Sequence, residues 1–339
     1  MKTELKTALM KRMLLSRRAK HPFNEKLAEL YSLPENAPAN WNNSHYFSGH
    51  TLSGESLYVR LGYRSDGSAE VWFAYRNGDL FYSHPVTEYA DAKDSPLTVT
   101  CVESSKEWAV SFDGEVQDQN DPEKPTVRCQ FSGTFYATDP IFDFAYHINP
   151  TSLAAAMARE HWSKELFAEM QENSQTHYEQ NGRMTGRLKL DGKEIPLEMP
   201  MLRDHSFGKR DWNYMNKHMW LMALLENGDM LNISMVSYPA MRRLDAGNVI
   251  FGGKTISLVE TIFCEEMENG GKGPDKFHIS CKLANGRRVN VYAERETEIV
   301  YPMGGGSYIL REGLGSFTVD GRKARGILEF GFNQDSSRW

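Results

Sequence analysis

The chain has 339 residues, 40% hydrophobic and 25% charged, with a formal net charge of −6. That length is too great for one small core and fits two domains of ordinary size, and the near-average composition excludes a disordered chain. The negative balance argues against a nucleic-acid or anionic-membrane partner, and no run approaches the roughly 18 apolar residues of an integral membrane span.

Residues 1 to 40 read as a helical N-terminal extension. MKTELKTALMKRMLLSRRAK carries bases but lacks the apolar core and cleavage site of a secretory signal, so it is expected to stay on a cytoplasmic protein. Leu5, Leu14, Leu27 and Leu30 mark apolar helix faces, Lys11 to Lys20 a solvated one, and Pro22 the break. Pro34, Pro38 and WNNS at 41–44 then open a different texture.

Residues 41 to 148 give short β-rich runs such as SLYVRLGYR and AEVWFAYR, separated by SDGS, NGD and FDGE, which supply the residues hairpin turns demand. Leu57, Val59, Leu61 and Tyr63 share one face, with Tyr58, Arg60 and Gly62 on the other. Residues 149 to 175 read as a connector helix, capped by Ser152 and packing across or between the β-rich halves. Strands resume over 176 to 339 with the turns ENGD, ANGR and VDGR. No βαβ alternation appears, so the fold is mainly β, with two tandem antiparallel barrels.

Cys101, Cys129, Cys264 and Cys281 are far apart without a CxxC pair, and read as four reduced thiols. The ten histidines include no HExxH and no compact His-x-His pattern, so neither a metal nor another cofactor is expected. There is no GxSxG.

The densest polar and aromatic stretch is MLRDHSFGKRDWNYMNKHMW at 201–220. Arg203, Asp204, His205, Arg210 and Asp211 stand beside Phe207, Gly208 and Trp212, placing proton-transfer groups against flat apolar surface, as acid–base work on a greasy substrate requires. In the catalytic reading Asp204 is the general acid and His205 orients water or removes a proton. Arg203 and Asp211 hold these two, and Trp212 faces a developing cation. Neighbours on a strand point to opposite faces, so Asp204 and His205 can share a pocket only if the chain bends, which Gly208 makes plausible. The competing reading is a structural corner, with Asp204 accepting backbone hydrogen bonds. Phe207, His177 and Tyr178 are further substrate-binding candidates, the last two because HYEQ follows the connector. Tyr46, His50 and Trp72 are candidates for lining the first barrel.

RDHSFGKRDW resembles the DHxWG-type segment of the carotenoid hydratase and hydroxyneurosporene synthase group, whose relatives include kievitone hydratase-like and lipocalin-like Diels–Alderase proteins. WNNSHYFSGHTLSGESLYVRLGYR and HYEQNGRMTGRLKLDG, taken with it, resemble an uncharacterised family that carries a phosphoenolpyruvate synthase-like name. The chain has no GxxxxGK[ST] motif, and GGG at 304–306 reads as a turn. The first resemblance implies two tandem lipocalin-like (calycin-like) barrels with a ligand cavity at or near their junction. The expected function is then a cofactor-independent lyase or cyclase acting on a lipophilic, isoprenoid- or polyketide-like molecule. The alternative is a carrier or sensor of such a ligand, since the fold supports both.

Overall fold

The face that carries Leu57, Val59 and Leu61 points into a closed ring of strands. A computed structural model describes residues 2–25, 29, 34–38, 40–269 and 271–338. Eight strands form the first ring: β1 Trp41–His50, β2 Ser56–Arg64, β3 Ala69–Asn77, β4 Leu80–Ser83, β5 Glu107–Asp118, β6 Val127–Ala137, β7 Thr176–Leu190 and β8 Lys193–Lys209. Each pairs antiparallel with the next, and β8 returns to β1 in register from Trp41↔Lys209 to Gly49↔Met201. A further strand, Leu97–Glu103, pairs with β5. Phe47, Leu57, Val59, Phe73, Phe112 and Met201 project inward and bury almost completely.

The second ring is β9 Lys217–Leu225, β10 Met230–Tyr238, β11 Met241–Phe251, β12 Lys254–Ile262, β13 Lys276–Leu283, β14 Arg288–Met303, β15 Tyr308–Val319 and β16 Arg322–Asn333, closed by the β9–β16 pairing. Met219, Leu221, Ile233, Val291, Leu328 and Phe330 fill its core. The expected mainly-β fold of two tandem antiparallel barrels is therefore what the chain adopts.

The chain divides into one unit of residues 24–143 and 175–210, and another of 1–23, 144–174 and 211–339. This moves the hairpin 176–209, assigned from sequence to the second half, into the first barrel. Without it β1 and β6 would be open edges, and β7 and β8 supply the missing partner to each. The tight turn is built by Asp191 and Gly192, with φ of 47° and 79°, the pair of left-handed residues a two-residue hairpin loop needs.

The N-terminal segment is not an appendage. Helix α1 Thr3–Lys20 stops short of Pro22, as expected, but Met10 is buried, Lys6 Nζ donates to the Glu160 carbonyl at 2.7 Å and Arg18 Nη1 to that of Ile148 at 2.9 Å. Leu5 is exposed, and the Leu27 and Leu30 positions lie outside the described residues. Glu25 belongs to the first-barrel unit, where its carboxylate accepts from the Ile141 amide at 3.1 Å.

The connector is three pieces: α2 Phe144–His147, α3 Pro150–Arg159 and α4 Lys164–Glu172. Asn149, not Ser152, caps α3, because Pro150 fixes the first helical position and the Asn149 side chain reaches the Thr151 amide at 2.9 Å. Ser163 caps α4 through the Leu166 amide at 3.1 Å. These helices belong to the second-barrel unit, where Ser152 Oγ donates to the Asp245 carbonyl. None of the described helices is long and apolar enough to cross a membrane.

Candidate functional site

Met199 and Met201 fix the inward face of β8, so Arg203, His205 and Phe207 continue it while Asp204 and Ser206 face outward. The β1–β8 register is unbroken through this stretch, and the Gly208 bend, φ 135°, comes after it. Asp204 and His205 therefore do not enter one pocket, which corrects the expected shared acid–base pair.

Inside the barrel, opposing strands present matched polar residues. On β7 Tyr178 and Gln180 stand across from His205 and Arg203, and on β1 Asn43 and His45 point inward with Phe47. Arg203 is fully buried; its Nη2 donates to Glu29 Oε1 at 2.6 Å and to Gln180 Oε1 at 2.8 Å. Tyr178 Oη lies 2.7 Å from Glu29 Oε2 and is hydrogen-bonded to His205 Nδ1. His205 Nε2 donates to Asn43 Oδ1 at 2.7 Å. The His45 ring stacks on His205 at 4.0 Å, and the Arg203 guanidinium lies 4.6 Å over the Trp108 ring.

The hydrogen bonds fix where the protons of this arrangement sit. With Nε2 protonated toward Asn43, His205 Nδ1 is an acceptor, so the single phenolic proton of Tyr178 faces both that nitrogen and Glu29. One more proton on Nδ1 would supply a donor for every pair in the chain. Burial lowers the His205 pKa, opposed by its Glu29 contact, while burial and the nearby Glu29 charge raise that of Tyr178. Burial also acts to raise the Glu29 pKa, but its His205 and Tyr178 hydrogen bonds and the Arg203 charge hold it below the ordinary value. The resting cluster is thus a neutral imidazole and phenol beside an ionised Arg–Glu pair.

His45 adds a pH signature. Burial, reinforced by repulsion from His205 whenever that ring is protonated and from the Arg203 charge, holds its pKa well below the ordinary value. The unfolded chain then binds a proton that the folded one does not, so this contribution to stability is complete above about pH 6.5 and is lost as pH falls. Unfolding free energies measured between pH 7.5 and 5 should decline for the wild type, and less steeply for His45→Gln.

The outward face of the same strands carries a second group. His177 is hydrogen-bonded to Asp204, Glu179 Oε1 lies 3.8 Å from His177 Nε2, and one donor atom from each of the three falls within 4.8 Å of the others. That spacing could hold a cation, and spacing along the chain gave no sign of it because β7 and β8 supply it jointly. His177 is consequently on the opposite face from Tyr178.

Tyr46, His50 and Trp72 do not line the barrel, since inward Phe47 and Phe73 set their strands' parity and turn them outward. Tyr46 stacks on Tyr58, His50 bonds Ser48 and Ser56 at 2.8 and 2.9 Å, and Trp72 lies 4.6 Å from the Arg60 guanidinium. Asp211 is exposed and organises a turn, accepting from the Asn213 amide at 2.9 Å, so it does not hold Asp204 or His205. Trp212 lies in the other unit, 5.6 Å from the Tyr308 ring. Phe207 lies 5.3 Å from the His205 ring, on the inward face.

Glu29, Asn43, His45, Trp108 and Gln180 were not found from sequence. Strand parity could have found most of them: odd positions of β1 share the face of Phe47, and even positions of β7 that of Met184. Glu29 offers no such signal.

Two closed antiparallel barrels in tandem, one with an ionisable cluster inside, define a lipocalin-like double-barrel protein. The chain belongs to the family described as a domain of unknown function, DUF7064, which matches residues 28–334. No curated protein sequence matches it. Among solved structures it is similar to kievitone hydratase from Nectria haematococca, at TM-score 0.52 and 12% identity over 93% of this chain and 94% of that one. It is also similar to an AttH-like protein from Nitrosomonas europaea, at TM-score 0.52 and 12% identity over 88% and 98%. A third is CghA solved with Sch210972, at TM-score 0.55 and 8% identity over 90% and 94%. At these identities the likeness is one of fold. It agrees with the expected resemblance to the hydratase group, and nothing supports the phosphoenolpyruvate synthase-like name.

Proposed function

We propose that this protein is a cofactor-independent lyase or cyclase, catalysing hydration, dehydration or cyclisation of a lipophilic isoprenoid- or polyketide-like molecule. The proton-transfer group is the Tyr178–His205 pair, with Glu29 and Arg203 setting its charge. The reading rests on one observation: four ionisable side chains, hydrogen-bonded in series, are buried in a barrel whose inward face is mainly apolar. Replacing a buried ion pair by apolar residues is often neutral or stabilising, so stability alone does not explain this one. A neutral imidazole and a phenol that share one proton are what reversible proton transfer in a water-poor site needs. The name of kievitone hydratase, a protein of the same fold, agrees with such chemistry without establishing it here.

Native mass spectrometry of the purified protein, with organic extraction of what it carries, tests the reading. A lipophilic molecule recovered in one chemical form from wild type and in another from His205→Ala and Tyr178→Phe is expected. The same unaltered molecule from all three would make the protein a carrier instead.

A further inference from the structure

The inward cluster contains more hydrogen-bonding capacity than the protein uses. Arg203 Nε and Nη1, Trp108 Nε1 and His45 Nδ1 are all buried and have no hydrogen-bond partner among the described residues. The three side chains are 0%, 3% and 7% exposed. They also touch one another: the guanidinium lies over the Trp108 ring at 4.6 Å, and the His45 ring is 5.2 Å from that of Trp108. One orphaned donor in a native interior already calls for an explanation, and each costs the desolvation of an unmade bond. Here they are concentrated in one group, beside the proton-transfer pair.

The Arg203 and Trp108 nitrogens are one-sided in their chemistry. Arginine and indole nitrogens only donate, so what completes them is an acceptor. Charge narrows the class further. Arg203 is already balanced by Glu29 at 2.6 Å, and the neighbouring His45, His205 and Tyr178 are neutral. A carboxylate or phosphate would add an uncompensated negative charge beside Glu29, whereas a neutral oxygen would not.

We infer that the polar end of the first barrel binds the carbonyl oxygen of a lipophilic ketone or enone, with Arg203 and Trp108 as donors. This deepens the proposed function by naming a substrate class. The carbonyl oxygen accepts from the Trp108 Nε1–H and from one free edge of Arg203, the Nε–H or the Nη1–H, which point to opposite sides of the planar guanidinium, and the hydrocarbon faces the apolar side chains of the barrel. Held there, a carbonyl would be polarised next to Tyr178 and His205.

The test is binding of 2-undecanone, labelled with 13C at the carbonyl, followed by NMR and calorimetry, with undecanoate as the anionic comparison. The wild type should bind the ketone more tightly than undecanoate and shift the carbonyl resonance downfield. Trp108→Phe, which keeps the ring, and Arg203→Lys, which keeps the charge opposite Glu29, should each weaken ketone binding about tenfold and reduce the shift. Thermal unfolding of each variant verifies that it is folded. Tighter binding of undecanoate would replace the carbonyl site by an anion site. No ketone binding, or equal binding by wild type and a folded Trp108→Phe, would overturn the inference. No turnover is read, so a protein that proves to be only a carrier leaves this result unaffected, and failure here leaves the His205 chemistry to its own test.

Discussion

Glu29→Gln should destabilise the protein by about 3–5 kcal/mol, the cost of leaving a fully buried cation without its counter-charge. Arg203 is 0% exposed, and Glu29 is its only ion-pair partner among the described residues, with the Glu29 side chain 3% exposed. Gln180 accepts one of its hydrogen bonds but carries no charge. The substitution nearly preserves shape, so the loss is electrostatic rather than a packing defect. Arg203→Met alone should cost a similar amount by stranding the carboxylate. The double variant Glu29→Leu/Arg203→Met removes both charges and should recover most of the stability, because the surrounding barrel is apolar. Urea denaturation of the double variant and of the Glu29→Leu and Arg203→Met single variants gives the coupling. Additive losses would show that the two side chains do not act as a pair.

The second large effect concerns turnover. His205→Ala and Tyr178→Phe should each slow conversion of the molecule recovered from the protein by roughly 10²–10⁴-fold, the usual contribution of a positioned acid or base. Asp204→Asn should leave the rate within a factor of a few, since its side chain points out of the barrel and bonds His177 instead. The contrast between adjacent residues is sharp because it follows from strand parity alone. Combining His205→Ala with Tyr178→Phe should cost little more than either one, as expected of groups that move a single proton together.

Much of this architecture could be read from the sequence, and the reasons are local. The Leu57–Val59–Leu61–Tyr63 alternation, the NGD and VDGR turns and the absence of βαβ spacing are each properties of a few neighbouring residues, and all three appear as expected. The stretch RDHSFG was likewise visible as the place where chemistry concentrates. Which of its residues act together was not visible, because that depends on register. Asp204 meets His177 on one face and His205 meets Tyr178 on the other. Assigning 176–209 to the second half failed for a related reason. A hairpin's own pattern does not say which ring it closes, and here the partners are β1 and β6, distant in the chain. Glu29 was hidden by its setting, a charged residue between Leu27 and Leu30 in a stretch that reads as an apolar helix face. Likewise Asn149 displaced Ser152 as the cap because the preference for both residue types is similar and Pro150 decided the frame.

The proposed role of His205 and Tyr178 is to transfer a proton to or from the bound molecule inside the first barrel. The most direct measurement is turnover of the extracted molecule in D2O, with deuterium located by mass spectrometry. Wild type and Asp204→Asn should place solvent deuterium at one carbon of the product where a proton is added, or of the recovered starting molecule where one is removed reversibly, and His205→Ala should do so at least about a hundredfold more slowly. Incorporation by His205→Ala at the wild-type rate, or its loss in Asp204→Asn alone, would contradict the account and move the chemistry to the outward face of β8.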